Sequence, residues 1–427
     1  MRVLVLGSGG REHALCWAIG RSPLVSQVVC APGNDGMRGD ARLAPVDLTD
    51  LPSVVKLALE ESADLVVVGP EDPLAAGVAD VLREAGIVVF GPGREAAQLE
   101  SSKLFAKQFM ERHGIPTAGH RVFEDADAAE AWVGERGGDC VVKADGLAAG
   151  KGVFVCTDVD AARAAVDEIM RDRRFGASGA RVVIEERLVG EEISYYAICD
   201  GERWVPLGSA QDFKRALDGD RGENTGGMGA YSPVPFVDAA LERRIHEQIL
   251  DPVFSGMRAE GRPYRGVLFA GLILVDGDPV VIEFNCRFGD PETQALLFRL
   301  ESDLVPVLEA AAEGRLPDDL EFRYGDPSVA VVIASEGYPR SYPKGVPIEG
   351  LEAVEGPDLK CFHAASRLEG GALVTNGGRV LCATARGASL EAARDRAYAA
   401  AERIAWPGAQ YRRDIALRAL RSDETPA

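Results

Sequence analysis

The stretch Val281-Ile282-Glu283-Phe284-Asn285-Cys286-Arg287-Phe288-Gly289-Asp290-Pro291-Glu292 concentrates more reactive side chains than any other part of the chain. Side chains alternate along an extended backbone, so Glu283, Asn285 and Arg287 share one face. A carboxylate beside an amide oxygen suits Mg²⁺, a hard cation that prefers oxygen. Arg287 next to them could hold a carboxylate or a phosphoryl group in transfer. A polar outer strand face would alternate in the same way. The dense Arg-Phe-Gly-Asp-Pro-Glu run that follows favours chemistry.

A second cluster points to phosphate. Residues 144–152 read Ala-Asp-Gly-Leu-Ala-Ala-Gly-Lys-Gly between two β-like runs, 141–143 and 153–156. The loop is not a Walker A motif: three residues, not four, separate Gly146 from Gly150, and Gly152 follows Lys151 where Ser or Thr would stand. Its backbone N–H groups can still fold over phosphates; the plain alternative is a flexible surface hairpin. Only eight of the 47 Lys and Arg residues are lysine, yet one ends the apolar run at Lys143 and one sits in the loop at Lys151. A compact ammonium suits a tight phosphate site better than a planar guanidinium.

Three further segments carry weaker signals. Residues 184–192 hold Glu185, Glu186, Leu188 and Glu192 on a connector between strands, where backbone groups and a carboxylate can meet a nucleoside. Solvated acidic connectors look the same. Residues 224–233, Asn-Thr-Gly-Gly-Met-Gly-Ala-Tyr-Ser-Pro, follow Gln211-Asp212-Phe213-Lys214-Arg215. Clustered glycines let a backbone approach a ligand closely, and a long mobile loop is the alternative. Residues 7–13, Gly-Ser-Gly-Gly-Arg-Glu-His, follow a strand and open a helix, a place that favours anions. Glu12 stands where a dinucleotide fingerprint needs glycine, which argues against a nicotinamide enzyme.

The elements that must position these groups alternate at first. Short apolar runs at 3–6, 28–30, 65–68 and 87–90 each end in Gly or Pro, with helical patterns between them. That predicts an open α/β parallel sheet with its loops gathered at the strands' carboxyl ends. A helix-like stretch at 102–113 leads into a small α+β lobe at about 115–190. Leu241, Ile245, Ile249, Val253 and Met257 recur every four residues, as on one face of a helix. Strand-like 265–275 and 280–285 flank the turn 276–278, and a last unit runs from about 326.

Composition narrows the function. The 427 residues include 46% apolar and 27% charged, typical of soluble globular chains. With 47 basic and 67 acidic residues the net charge is −20, which disfavours a nucleic-acid or anionic-membrane binder. Any phosphate must therefore be held by local cations and N–H groups. The eight cysteines show no C-x-x-C spacing. With no long apolar N-terminal stretch or membrane-length run, free thiols and a cytoplasmic setting are expected.

Taken together, segments 9–15, 143–152, 224–229 and 283–292, in this order along the whole chain, resemble the ATP-grasp superfamily. Within it they resemble the glycinamide ribonucleotide synthetase family, the phosphoribosylamine–glycine ligases. The resemblance implies an α/β chain of three parts. An N-terminal open parallel sheet (pre-ATP-grasp) spans 1–101, a two-lobed ATP-grasp α+β domain spans 102–325, and a small mixed α/β domain spans 326–427. It implies ATP as co-substrate, Mg²⁺ or Mn²⁺ as cofactor, and glycine and 5-phosphoribosylamine as substrates. It also implies a cytoplasmic monomer with no nucleic-acid or membrane partner.

Roles carried over by position are expectations. Lys103 and Lys143 match lysines that touch nucleotide phosphates. Gly146, Gly150, Lys151 and Gly152 match the phosphate lid. Glu185, Glu186 and Leu188 match the adenine connector, and Glu192 the ribose carboxylate. Glu283 and Asn285 match metal ligands, with catalytic Arg287 beside them. Asp212 and Lys214 are further catalytic candidates. Arg215, Gly226, Gly227, Met228, Gly229 and Asp290 shape the substrate pocket, with Gly9, Gly10, Arg11 and Glu12 from the N-terminal unit. One departure stands out: residues 269–274, before the turn, carry no carboxylate where many ATP-grasp enzymes have an acidic ligand. Another acyl-phosphate ligase of the superfamily and a nucleotide-binding regulator without turnover are the competing readings. Retention of Glu283, Asn285, Arg287 and both lysines disfavours the regulator.

Overall fold

The computed structural model describes residues 1–148 and 151–421. It begins with five parallel strands in the order Arg42–Leu43, Gln27–Pro32, Arg2–Gly7, Leu65–Val68 and Val89–Phe90. Leu65–Val68 is buried along its whole length, as a strand covered by helices on both faces must be. The winding direction reverses between Arg2–Gly7 and Leu65–Val68, and such a reversal opens a crevice at the strands' carboxyl ends. Here Glu12 fills it. A Cβ added at Gly69 would lie 2.1 Å from Glu12 Oε1, so glycine is required where the carboxylate packs.

The small lobe is an antiparallel sheet in the order His120–Phe123, Val182–Glu186, Asp139–Ala144 and Val153–Thr157. Helices Ala126–Glu135 and Val159–Val166 pack on it through Val133, Ala162 and Val166. Both helices start at an aspartate, Asp125 or Asp158, whose side chain accepts a first-turn N–H.

The large lobe is built on one antiparallel sheet of eight strands. Its order is Asp278–Asn285, Arg265–Val275, Glu192–Asp200, Trp204–Asp212, Gly229–Ser232, Ser328–Ala334, Arg379–Arg386 and Leu359–His363. The ladder thus runs without interruption from the ATP-grasp body into the C-terminal part. Ser328–Ala334 is buried at every position, and helix Leu390–Ala401 covers that end with Ala393, Ala397, Ala400 and Ala401.

The apolar stripe from Leu241 to Met257 is buried throughout, but not on one regular helix. A strict spacing of four overshoots a 3.6-residue turn by about 40° at each step. The wider π-type turn His246–Leu250, between helices Ala239–Ile245 and Asp251–Ala259, takes up that drift.

Candidate active site

A cavity of about 580 Å³ opens between the two lobes and reaches the carboxyl edge of the parallel sheet. Strand Asp278–Asn285 supplies its floor. A bulge sets Ile282 out of register, since Gly271 faces Glu283 while Leu272 faces Val281. The Ile282 carbonyl there accepts from Lys143 Nζ at 3.2 Å. Glycine at 271 explains the missing acid on that strand: a Cβ there would lie 3.3 Å from Glu283 Cγ. Burial pushes the Glu283 carboxyl up, but Lys214, Lys103, Lys143 and Arg287 outweigh burial and hold it at about 2.

Lys103, Lys143, Gly146, Gly152, Glu185, Glu186, Leu188 and Glu192 all line the cavity. Lys143 Nζ donates to Glu185 Oε2 at 2.9 Å, and Lys107 Nζ lies 3.1 Å from the same oxygen. Burial alone would raise the Glu185 carboxyl, yet the two ammonium groups bring it below its ordinary range. Burial in turn lowers Lys107 to about 8, against the pull of Glu185. The sequence reading passed over Lys107. Its signal was a second lysine one turn after Lys103 on the helix Lys103–His113, in a lysine-poor chain.

Asp212, Lys214, Arg215, Gly226, Asp290 and Arg11 line the cavity as well. Burial raises Asp212 to about 7, helped by Glu292, Glu192 and Glu283 and opposed by Lys214. Lys214 stays protonated because Asp212, Glu192, Glu283 and Glu292 overcome its burial. Its Nζ lies 3.4 Å from Glu192 Oε2.

Asp290 ties three parts of the chain together. It accepts the Arg11 N–H at 3.4 Å, at the positive end of helix Gly10–Gly20. It also accepts from Gln294 Nε2 at 2.8 Å and pairs with Arg379 Nη2 at 3.3 Å. Burial opposes its ionisation, but Arg379 and Arg11 keep it below the usual carboxylate range. Arg379 Nη1 further donates to the carbonyls of Asp290 at 2.6 Å and Gly227 at 3.3 Å, and to Gly226. Nothing in the local sequence marks Arg379, which opens an ordinary C-terminal strand.

Several expected residues stand behind the cavity wall rather than on it. Glu12 is buried, accepting from Gly9 N and Arg11 Nε, both at 2.6 Å. Gly10 packs so closely that a Cβ would lie 2.5 Å from Gln294 Nε2. Gly227, at φ +110°, leaves no room beside Pro291, and Met228 is buried. Gly229 opens the strand next to Ser328–Ala334. Lys151 is exposed and outside the lining, while Gly150 lies outside the described residues.

Arg287 lines the cavity just past the end of the floor strand. Its Nη2 donates to Asn285 Oδ1 at 3.2 Å and its Nη1 to Phe288 O at 3.1 Å. Its Nε lies 3.3 Å from both Glu71 and Glu100, two carboxylates of the N-terminal unit that the sequence reading missed. Asn285 Nδ2 has no partner although buried. An ionised carboxylate and an amide side by side on the floor fit a divalent ion that takes its other oxygens from substrate and water.

Comparison with known proteins identifies the family. The chain matches the phosphoribosylglycinamide synthetase family models: N domain over residues 1–100, ATP-grasp (A) domain over 101–293 and C domain over 328–418. It is 51% identical over 423 residues to a phosphoribosylamine–glycine ligase of Allochromatium vinosum, covering 98% of this chain and 99% of the relative. It is 50% identical to that of Pseudomonas aeruginosa, covering 98% of each. The crystal structure of the Thermotoga maritima phosphoribosylamine–glycine ligase superposes with a TM-score of 0.85 at 35% identity, over 97% of this chain and all of that one. The biotin carboxylase of Campylobacter jejuni shares the fold at TM-score 0.74 and 17% identity, over 96% of this chain and 92% of that one. By sequence over its full length and by fold, the chain belongs to the phosphoribosylglycinamide synthetase family of ATP-grasp proteins.

Proposed function

We propose that this chain is an ATP-dependent ligase joining glycine to 5-phosphoribosylamine. The products are glycinamide ribonucleotide, ADP and phosphate, a step of purine biosynthesis. The observation that carries this reading is one cavity lined by Lys143 and the Glu185 connector, by Glu283 and Asn285 of the floor strand, and by Asp212, Lys214 and Asp290. A carboxylate is a poor electrophile, and phosphorylation gives it a leaving group. In the first step a glycine carboxylate oxygen bonds to the γ-phosphorus and the bond to ADP breaks. In the second the amine nitrogen attacks the acyl carbon, loses a proton, and phosphate leaves with its bonding pair.

The residues divide that work. Lys103 and Lys143 neutralise nucleotide phosphates, and 185–188 meet the adenine. Arg287 offers a fixed guanidinium to the oxygens on which charge grows. Lys214 attracts the glycine carboxylate, and Arg215 and Arg11 offer cations to the phosphate of the amine substrate. Glu283 and Asn285 would hold Mg²⁺ or Mn²⁺. Such an ion would supply charge neutralisation between the phosphates. Among the described residues no helix is long and apolar enough to cross a membrane. The acidic net charge supports a monomer without nucleic-acid partners, and the free cysteines support a cytoplasmic setting.

The test is ADP release from Mg²⁺-ATP and glycine, with and without freshly generated phosphoribosylamine. Release that needs both, with a glycine amide product, is expected. Release only with another carboxylate or amine would overturn the substrate assignment and leave an acyl-phosphate ligase.

A further inference from the structure

Arg287 can stabilise a transferring group only if its guanidinium already faces the cavity when substrates arrive. Fixing a long arginine side chain costs rotamer entropy. It also sits among other acids, with Glu283 close enough to share its field. A free guanidinium would turn onto that carboxylate and compete for the floor of the site. Something must hold it back.

We propose that Glu71 and Glu100, from the N-terminal unit, are the positioning residues that aim Arg287. Glu71 opens the short helix Glu71–Ala76, three residues past the end of strand Leu65–Val68, at the carboxyl edge of the parallel sheet. Glu100 lies on the helix Gln98–Ser101, where the chain leaves that unit. Glu71 Oε2 and Glu100 Oε1 flank the same atom, Arg287 Nε, each at 3.3 Å. Glu100 is itself anchored, because its Oε2 accepts the Cys286 N–H at 2.6 Å. One oxygen thus holds the backbone beside Arg287, and the other lies against the guanidinium as an ion pair, with no hydrogen bond from Nε. Phe288 O and Asn285 Oδ1 take one N–H from each of the two terminal nitrogens. A guanidinium has five N–H donors in a rigid fork, so one on each terminal nitrogen is left for a ligand.

The consequence is that the N-terminal unit does more than shape the acceptor pocket. It sets the orientation of a group on the phosphoryl-transfer floor, across the boundary between two parts of the chain. This inference rests on the role proposed for Arg287, and the experiment separates the two. Glu71→Gln and Glu100→Gln keep shape and remove charge. Each is made alone and in an Arg287→Ala background, and glycine-dependent ADP release is measured with thermal unfolding as a control.

Arg287→Ala is expected to lower kcat by about 10²-fold, as loss of a fixed transition-state donor does. Each Gln variant is expected to lower kcat about tenfold and change KM for ATP less than about twofold, because aiming acts on the transition state. In the Arg287→Ala background the same Gln substitution should change kcat less than about twofold, since residues acting through one another are not additive. Losses that multiply in the double variants, or Gln variants at the wild-type rate, overturn the inference. Arg287→Ala at the wild-type rate overturns the role of Arg287 instead. If one Gln variant fails to fold, the other carries the same test.

Discussion

Replacing Lys143 by methionine separates two jobs that the structure superimposes on one ammonium group. Lys143 faces the cavity, and it also neutralises buried Glu185 together with Lys107. Breaking a buried ion pair costs about 3–5 kcal/mol when the remaining charge is left unpaired. Glu185 keeps Lys107 at 3.1 Å, so the loss of stability should be smaller, about 1–2 kcal/mol. The loss of activity should be larger. A fixed cation at a transferring group contributes about 3–4 kcal/mol, or about 10²–10³ in kcat. Lys107→Met is the matched control, because Lys107 bonds the same carboxylate from outside the cavity lining. Chemical unfolding should show similar destabilisation for the two variants. Coupled ADP-release assays across ATP concentrations should show a raised KM for ATP and a kcat about 10² lower for Lys143→Met alone. Equal activity losses in the two variants would mean that Lys143 serves only to neutralise Glu185. A wild-type rate at low ATP would remove it from the nucleotide site.

Glu283→Gln should raise the Mg²⁺ concentration needed for half-maximal activity by at least about tenfold, since a charged oxygen ligand is lost; direct Mn²⁺ binding to the variant should weaken in parallel. Gly69→Ala drives a methyl group into the Glu12 carboxylate, 2.1 Å away, and overpacking of this kind should cost about 1–3 kcal/mol by denaturant midpoint. Acid should loosen the contact between the N-terminal unit and the C-terminal sheet. Burial holds His363 at about 3, helped by His13 and Lys360 and opposed by Asp40, and burial lowers His13 against the pull of Asp40. A base depressed in the folded state adds stability above its ordinary value of 6.5, and loses it as pH falls toward the folded value. The unfolding free energy should therefore fall below pH 6.5, by up to about 1.4 kcal/mol per pH unit for each group, seen as a falling unfolding temperature, and His363→Gln should flatten the slope.

The features readable from residue order were local. A glycine at the end of an apolar run marks a strand edge at Gly7 or Gly69, because only a short-range backbone demand is involved. Lys143 and Gly146 were legible because a strand, a lysine and a glycine loop follow one another directly. The alternation of Glu283, Asn285 and Arg287 was legible in the same way, and the side chains do meet one cavity. The bulge at Ile282 and the π-type turn at His246–Leu250 were not. Each is a one-residue adjustment that depends on what lies across from it.

Sequence by itself determined the fold class, the family and the chemistry on offer: a phosphate-directed lysine, an oxygen pair for a cation and an arginine beside them. Fold class and chemistry follow from residue type and near-neighbour spacing, and the family from the resemblance of four whole motifs in order along the chain. Only the tertiary structure decided the partners. Glu12, read as a ligand contact, is spent on filling the crevice between Gly7 and Gly69. Asp290 is shared between Arg11, Gln294 and Arg379, and Arg287 is held by Glu71 and Glu100. Charges act over a few ångströms in a buried site, and chain folding brings together groups far apart in sequence. Which carboxylate faces which cation is therefore set when the parallel sheet, the floor strand and the C-terminal strand pack against one another.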